Sequence, residues 1–402
     1  MTSLSPESVD PVANLGLASD SVLRYEVGEI SRTVHQANPE LLPYGYLVGD
    51  ITSIRILLKH GAESGAVDAL AFETLTPKAI LQRYVSLLQD HRRVILCGPP
   101  GTGKTHLAGR LGSFLCHMSG RQGRPLLSFR SFKIERGRLD AFTAFLEHLV
   151  AECRAGPPLM VLILDNLQFV ADLDEVLSQH LPLSPEAGPI IIGTMVQAAG
   201  SVASTNLQLK HNFRWILCAN HMEPVRGLLS RYLRRKLLSV EVETRTHNGD
   251  SARITEWVAH VAAAVNKFLE SHASPEATLG PVHFLSCPLD PAEAKLWFIN
   301  LWNLLVVPHL LDSVREGLQL YGRRVSWEDP LQLVADSWPW PHHHADMDSF
   351  VRIRPEDVGY EASQAALRPV SGAPVEGTAV EDPLFNMLMT LQEAANTESG
   401  DL

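Results

Sequence analysis

The chain has 402 residues, 45% of them hydrophobic and 20% charged, which is enough apolar material for one large core and a second, smaller domain. A formal net charge of -11 excludes a protein that grips nucleic acid with its whole surface and leaves at most a local basic groove for that role, so nucleic acid is not an expected partner. No stretch approaches the roughly eighteen uninterrupted apolar residues of a membrane span, and the N-terminus lacks the pattern of a secretion signal.

The cysteines Cys97, Cys116, Cys153, Cys218 and Cys287 are odd in number, widely spaced and without a Cys-x-x-Cys pair, which predicts a reduced, intracellular chain. Residues 1–40 are rich in Ser, Pro, Asn and acids, with apolar groups too scattered to form a face. They predict a flexible lead-in. In the following lead-in to the core, residues 41–76, Ile51, Ile54, Ile56 and Leu58 fall near alternate positions, as in a half-buried strand.

Thr76 as N-cap and Pro77 in the first turn open a helix whose stripe of Ile80, Leu81, Tyr84, Val85, Leu87 and Leu88 runs to about His91. Residues 94–97 are short, apolar and followed by glycines, as expected of a central parallel strand buried on both faces. After the glycines, Leu107, Leu111, Phe114 and Leu115 continue as a helix. A strand at 125–132, a helix at 138–155 and a strand at 159–164 repeat the alternation, which implies a parallel sheet. Apolar runs at 189–194 and 213–218 add two strands, a basic segment follows, and residues 237–242 read as a last strand.

Residues 250–325 are helical in pattern and predict a smaller domain. In it Trp297, Leu301, Trp302, Leu304 and Leu305 form a stripe that reads as core. Residues 326–402 predict a mostly irregular tail with one short amphipathic helix at 383–396. The run His342, His343 and His344 lies near Asp346 and Asp348 in an irregular segment, without ligands fixed at helical spacing, and reads as composition and not as a metal site.

Gly98, Pro99, Pro100, Gly101, Thr102, Gly103, Lys104 and Thr105 fit the pattern G-x-x-x-x-G-K-[ST], between a predicted buried strand and a predicted helix. Glycines are needed where backbone N–H groups curl round a polyphosphate, because a side chain there blocks the approach. Lys104 then puts positive charge on the β and γ phosphates and Thr105 offers a hydroxyl to Mg2+, while the next helix aims its positive end at the anion. The strand at 159–164 delivers Asp165 as the second Mg2+ partner, through water. Asn166 stands where hydrolysing proteins of this architecture carry Glu. An amide orients water but cannot accept its proton, so weak or absent turnover is expected unless Asp172, Asp174, Glu175 or the γ-phosphate itself serves as base.

Two residues compete for contact with the γ-phosphate. Asn220 ends one apolar strand and is the first choice, whereas Thr194 ends another that comes sooner after Asp165. Arg231, Arg234 and Arg235 follow Asn220 on a predicted helix rim, where an arginine of a homo-oligomer reaches a neighbour's nucleotide. The same basic segment also reads as a solvated helix end or as a site for an acidic partner.

Phosphate loop, acidic strand, sensor-like strand and arginines in one order resemble an AAA+ ATPase, a P-loop NTPase of α/β fold with a parallel sheet, helices on both faces, and a smaller helical lid domain. The resemblance implies an AAA+ nucleotide-binding domain at 77–245, ATP as the nucleotide, Mg2+ as the metal, and a lid at 250–325. A closer likeness lies in residues 75–88, Ile163-Leu-Asp-Asn-Leu, residues 212–221 and residues 314–324, extended by Trp327-Glu-Asp-Pro, residues 354–359 and residues 386–396. These resemble the C-terminal region of neuron navigator proteins, over roughly 44–396.

The family resemblance implies a cytoplasmic, cytoskeleton-associated protein acting at microtubules in neurite outgrowth and cell migration, with cytoskeletal proteins as partners. The complete phosphate loop and Arg231 to Arg235 fit an active ATPase that remodels a protein partner, whereas Asn166 fits a nucleotide-dependent scaffold without turnover. The Asp165-Asn166 pair is shared with the family. The family's Gly-Pro-Arg is replaced here by Gly280, Pro281, Val282 and His283, which removes an arginine from the lid.

Overall fold

The computed structural model describes residues 14–33, 36, 43–60, 66–120, 129–155, 161–180, 188–196, 207–208, 210–321, 325–341 and 346–360. Near the N-terminus, β1 (Val22–Val27) pairs antiparallel with β2 (Ile30–Thr33) on one side and β3 (Arg55–Leu58) on the other. The expectation of a flexible lead-in is therefore corrected at residues 22–33. Only Val27 of β1 is buried, so the local sequence carries little apolar signal, and the pairing partner β3 lies far downstream. The strand expected around residues 51–59 is β3.

The sheet is fixed to the next elements by polar contacts. The Ala69 amide in α1 (Asp68–Thr74) donates to the Lys59 carbonyl, and the Lys59 amide to the Ser21 carbonyl, each at 2.9 Å. Asp68 is buried and paired with Lys78 Nζ at 2.7 Å, at the start of α2 (Lys78–His91). The helix begins one residue later than the cap reading predicts, with Pro77 at its N-terminal boundary. Leu81, Tyr84, Val85 and Leu88 form its buried face.

The central sheet is parallel, in the order β5 (Phe129–Lys133), β6 (Val161–Asp165), β7 (Ile190–Met195), β4 (Arg93–Cys97) and β8 (Arg214–Leu217). Alternate residues of its strands feed two cores, as the two-residue period of a strand requires. Val94, Leu96, Val161, Ile163, Ile190 and Ile192 pack on one face with α2 and α3 (Lys104–Gly120). Ile95, Leu162, Leu164 and Ile191 face the other way, onto α4 (Leu139–Ala155) and α5 (Leu173–His180). Burial on both faces explains why these strands read as continuous apolar runs.

Residues 237–242 are not a strand. They lie in α6 (Leu228–Thr244), where Leu229, Leu233 and Leu237 recur every fourth residue and turn inward. Val240 and Val242 are exposed, so the β-branched composition that mimicked a strand buries nothing. The lid follows as α7 (Gly249–His272), α8 (Pro291–Leu301), a π-helical turn at Trp302–Val306, and α9 (Val307–Tyr321). Phe298, Trp302, Val306, Leu310 and Val314 from the last three line the lid core. The apolar run Pro291–Leu320 is by length and composition alone suited to cross a membrane; about a third of its most apolar window is buried in the lid, and Leu304, expected in the core stripe, is exposed together with Leu296 and Leu320.

Among the described residues of the tail, 326–341 and 346–360, α10 (Pro330–Ala335) and a short 3-10 turn at Pro355–Val358 stand out, and this part of the tail belongs to the lid core. Trp338, Met347, Phe350, Ile353, Val358 and Tyr360 are buried there. The indoles of Trp257 and Trp338 meet edge to face at 5.3 Å between centroids, a geometry favoured by ring quadrupoles. Asp346 accepts from Trp338 Nε1 at 3.1 Å and pairs with Lys295, so it has structural partners. Among the described residues no cluster of three or more His, Cys, Asp or Glu is placed to hold a metal. His342, His343, His344 and the helix expected at 383–396 lie outside the described residues.

Candidate nucleotide site

The phosphate loop leaves the C-terminal end of β4, flanked by β7 and β8, and enters α3 at Lys104. Gly101 and Gly103 have φ of +75° and +84°, a left-handed backbone that suits glycine. These angles coil the loop back so that its amides and the first turn of α3 converge, which is the cradle a polyphosphate needs. Thr102 and Lys104 are buried in it. Lys104 Nζ donates to the carbonyls of Gly98 at 2.9 Å and Pro99 at 2.5 Å, and to Thr102 Oγ1 at 3.2 Å.

Burial pushes the Lys104 ammonium below its ordinary pKa, against the opposing pull of Cys218, Cys97 and Asp165. A phosphate beside it restores the missing counter-charge. Beneath the loop, burial raises the Cys218 thiol to about 12, an apolar floor rather than a reactive group. Cys97, Cys116, Cys218 and Cys287 are free.

Two strands and a helix bring a polar cluster together at the end of the loop. Asp165, last residue of β6, accepts from Thr105 Oγ1 at 2.7 Å and from Thr194 Oγ1 at 2.5 Å. Thr194 comes from β7, the strand between β6 and β4, and its Oγ1 in turn accepts from the Asn166 amide at 3.1 Å. Thr105 and Asp165 thus share a hydrogen bond that a divalent cation can split, with one hydroxyl and one carboxylate as oxygen donors. The residues present fit Mg2+ and a triphosphate. Once bound, the metal supplies charge neutralisation at the phosphates.

Asn166 has φ of +67°, a left-handed conformation that Asn tolerates better than most residues. Its carboxamide oxygen faces Gln168 Nε2 at 3.5 Å, and Gln168 Oε1 accepts from the Val196 amide at 3.2 Å. Gln168, three residues past the end of the acidic strand, carries no motif and escapes a sequence reading. The other acidic candidates are directed elsewhere. Asp174 is held by Lys210 Nζ at 2.7 Å and His211 Nε2 at 2.9 Å, while Asp172 and Glu175 are exposed.

Asn220 is not part of the cluster: its Nδ2 donates to Thr278 Oγ1 at 3.0 Å, towards the lid. Thr194 is in the cluster because β7 runs beside β6, whereas β8, which leads to Asn220, lies beyond β4. Nor does Arg231 stand on a rim. It is buried, bridging both Glu223 carboxylate oxygens at 3.2 and 3.0 Å and the Arg226 carbonyl at 2.8 Å. Arg235 donates to the Phe72 carbonyl at 2.9 Å, with its guanidinium over the Phe72 ring. Arg234 is exposed on α6.

Comparison with known proteins agrees with this geometry. Residues 94–244 match the model of the ATPase family associated with various cellular activities (AAA), and residues 238–352 that of the NAV1-like, AAA+ ATPase lid domain. Residues 7–59, which contain β1 to β3, match the Neuron navigator 1-like, ubiquitin-like domain. The chain is 48% identical to Neuron navigator 2 of Homo sapiens over 97% of its length, and 42% identical to Protein sickie of Drosophila melanogaster over 96%. It spans 16% and 17% of the length of those two relatives. Among solved structures it is similar to the Thermotoga maritima RuvB Holliday junction branch migration motor, at 13% identity and a TM-score of 0.35, covering 65% of this chain and 82% of that one. With an AAA domain, its lid and these relatives along the same chain, the protein belongs to the neuron navigator family.

Proposed function

We propose that the chain binds ATP with Mg2+ and works as a nucleotide-dependent switch with little or no turnover. The observation that carries this reading is the convergence of Thr105, Asp165 and Thr194 at the mouth of the glycine loop, next to the buried Lys104. Lys104 and the loop amides hold the phosphates, Thr105 and Asp165 hold the metal, and Thr194 fixes the carboxylate. Asn166 supplies no base, so the bound triphosphate persists and orders the lid.

Membership of the neuron navigator family supports placing this switch in the cytoplasm, at the cytoskeleton and microtubules, with cytoskeletal proteins as partners in axon guidance and cell migration. Exposed Arg234 is the observation that favours assembly with a second copy, since it is the arginine of the basic segment directed outward.

Thermal unfolding tests the reading. Ligand at 100 times its Kd stabilises the native state by about 2.7 kcal/mol. ATP with Mg2+ is expected to raise Tm by several degrees in the wild type and not in Lys104→Ala; equal melting with and without nucleotide in the wild type refutes the switch.

A further inference from the structure

The helix run α8–α9 presents apolar side chains to solvent. Leu296 is 65% exposed and Leu304 78%, and with Asn300 and Pro308, both exposed, they recur every fourth residue. Positions four apart share one face of a helix, so these residues form a stripe. Val351, also exposed, lies beside it, its amide donating to Asn303 Oδ1 at 2.8 Å. Contiguous exposed apolar surface of this kind marks a contact site.

The chain's own tail runs past this stripe. Asn303 Nδ2 donates to the Ser349 carbonyl at 2.9 Å and the Trp302 indole to the Val351 carbonyl at 3.1 Å, which pins residues 349–351 at its edge. The described part of the tail ends at Tyr360, whose ring packs on Trp327 in the lid core at 5.6 Å between centroids. Residues 383–396 lie outside the described residues. In their sequence Leu384, Leu388, Leu391 and Ala395 fall at helical spacing behind Asp382 and Pro383, a cap residue and a first-turn residue. The intervening residues 361–382 reach at most roughly 70 Å. Pro291–Leu320 as a helix measures about 45 Å, so the segment can return to any part of the stripe. Charge agrees: Arg352 and Arg354 are exposed beside Val351, and the segment brings Glu381, Asp382 and Glu393.

We propose that residues 383–396 dock as an amphipathic helix on the Leu296–Leu304 stripe of the same chain's lid. A helix this short is marginal in water alone, so burial of its leucines against the stripe is what holds it. The tether supplies an effective concentration on the order of millimolar, at which even a weak contact is occupied. A second copy competes for the stripe without that advantage. The docked segment extends the lid core that residues 346–360 have joined, and it does so independently of the nucleotide site.

Hydrogen exchange read by mass spectrometry on the full chain tests this, comparing wild type with Leu304→Asp and Leu388→Asp at low and high protein concentration. The expected result is slow exchange of the 383–396 amides in the wild type at both concentrations. Either substitution speeds it by about tenfold or more, the effect of losing one buried leucine, while α7 in the lid core keeps its protection. Leu304 is exposed, so its substitution leaves the fold intact; should Leu304→Asp nonetheless loosen α7, Leu296→Asp replaces it. Free exchange of 383–396 in the wild type overturns the proposal. Protection that disappears on dilution overturns it too and assigns the stripe to a second copy, as does protection that the lid substitution leaves unchanged, which places the segment elsewhere.

Discussion

Asn166 sits where chemistry and backbone geometry pull in the same direction. Its left-handed φ disfavours Glu by roughly 1 kcal/mol, and its amide cannot take a proton from water. The Thr194 hydroxyl accepts from the Asn166 amide while donating to Asp165, so the turn is fixed by the residue that orients the Asp165 carboxylate. An Asn166→Glu variant is therefore expected to gain ATP turnover, on the order of a hundredfold for an added general base, with a small loss of stability. Phosphate release checks it. No gain in a folded variant would show that the missing base is not what limits hydrolysis.

At the scale of elements, two joints are open to direct test. Asp68 joins the N-terminal sheet to the nucleotide-binding core; burial pushes its pKa up, but hydrogen bonds from Lys78 and Ser21 outweigh this and the net shift is downward. A depressed carboxylate contributes stability that is complete above its ordinary value of 3.8 and is lost as pH falls through the lower folded value. Asp68→Asn is expected to lower unfolding stability at pH 7 by about 2 kcal/mol, less than a fully buried pair because Lys78 is partly exposed. Denaturant unfolding at pH 7 and below pH 3 checks the sign: the deficit shrinks in acid. In the lid, Asn248 caps α7 by accepting from the amides of Asp250 and Ser251 at 3.1 and 3.2 Å. Asn248→Ala should cost about 1 kcal/mol by the same measurement, and no change would deny the cap its role.

Across the whole molecule, what the sequence made legible follows from the range of the physics. The parallel strands β4 and β6 and the phosphate loop were readable because buried strands and glycine turns leave local signatures. β1 and β2 were not, since their order comes from antiparallel pairing in which β1 lies between β2 and the distant β3, and α6 was misread where exposed Val240 and Val242 imitate a strand. The choice between Asn220 and Thr194 needed the strand order, which places β7 beside β6. Arg231 read as a rim cation because nothing local announces its bidentate pairing with Glu223.

The central claim is that the glycine loop, Lys104 and the Thr105–Asp165 pair hold one nucleoside triphosphate with its metal. Equilibrium titration of the full chain with labelled ATP in Mg2+ tests it most directly. The account predicts saturable binding at one site per chain, lost in Lys104→Ala and weakened when Mg2+ is removed with EDTA. A folded wild type that takes up no ATP, or a Lys104→Ala variant that binds it equally well, would contradict it.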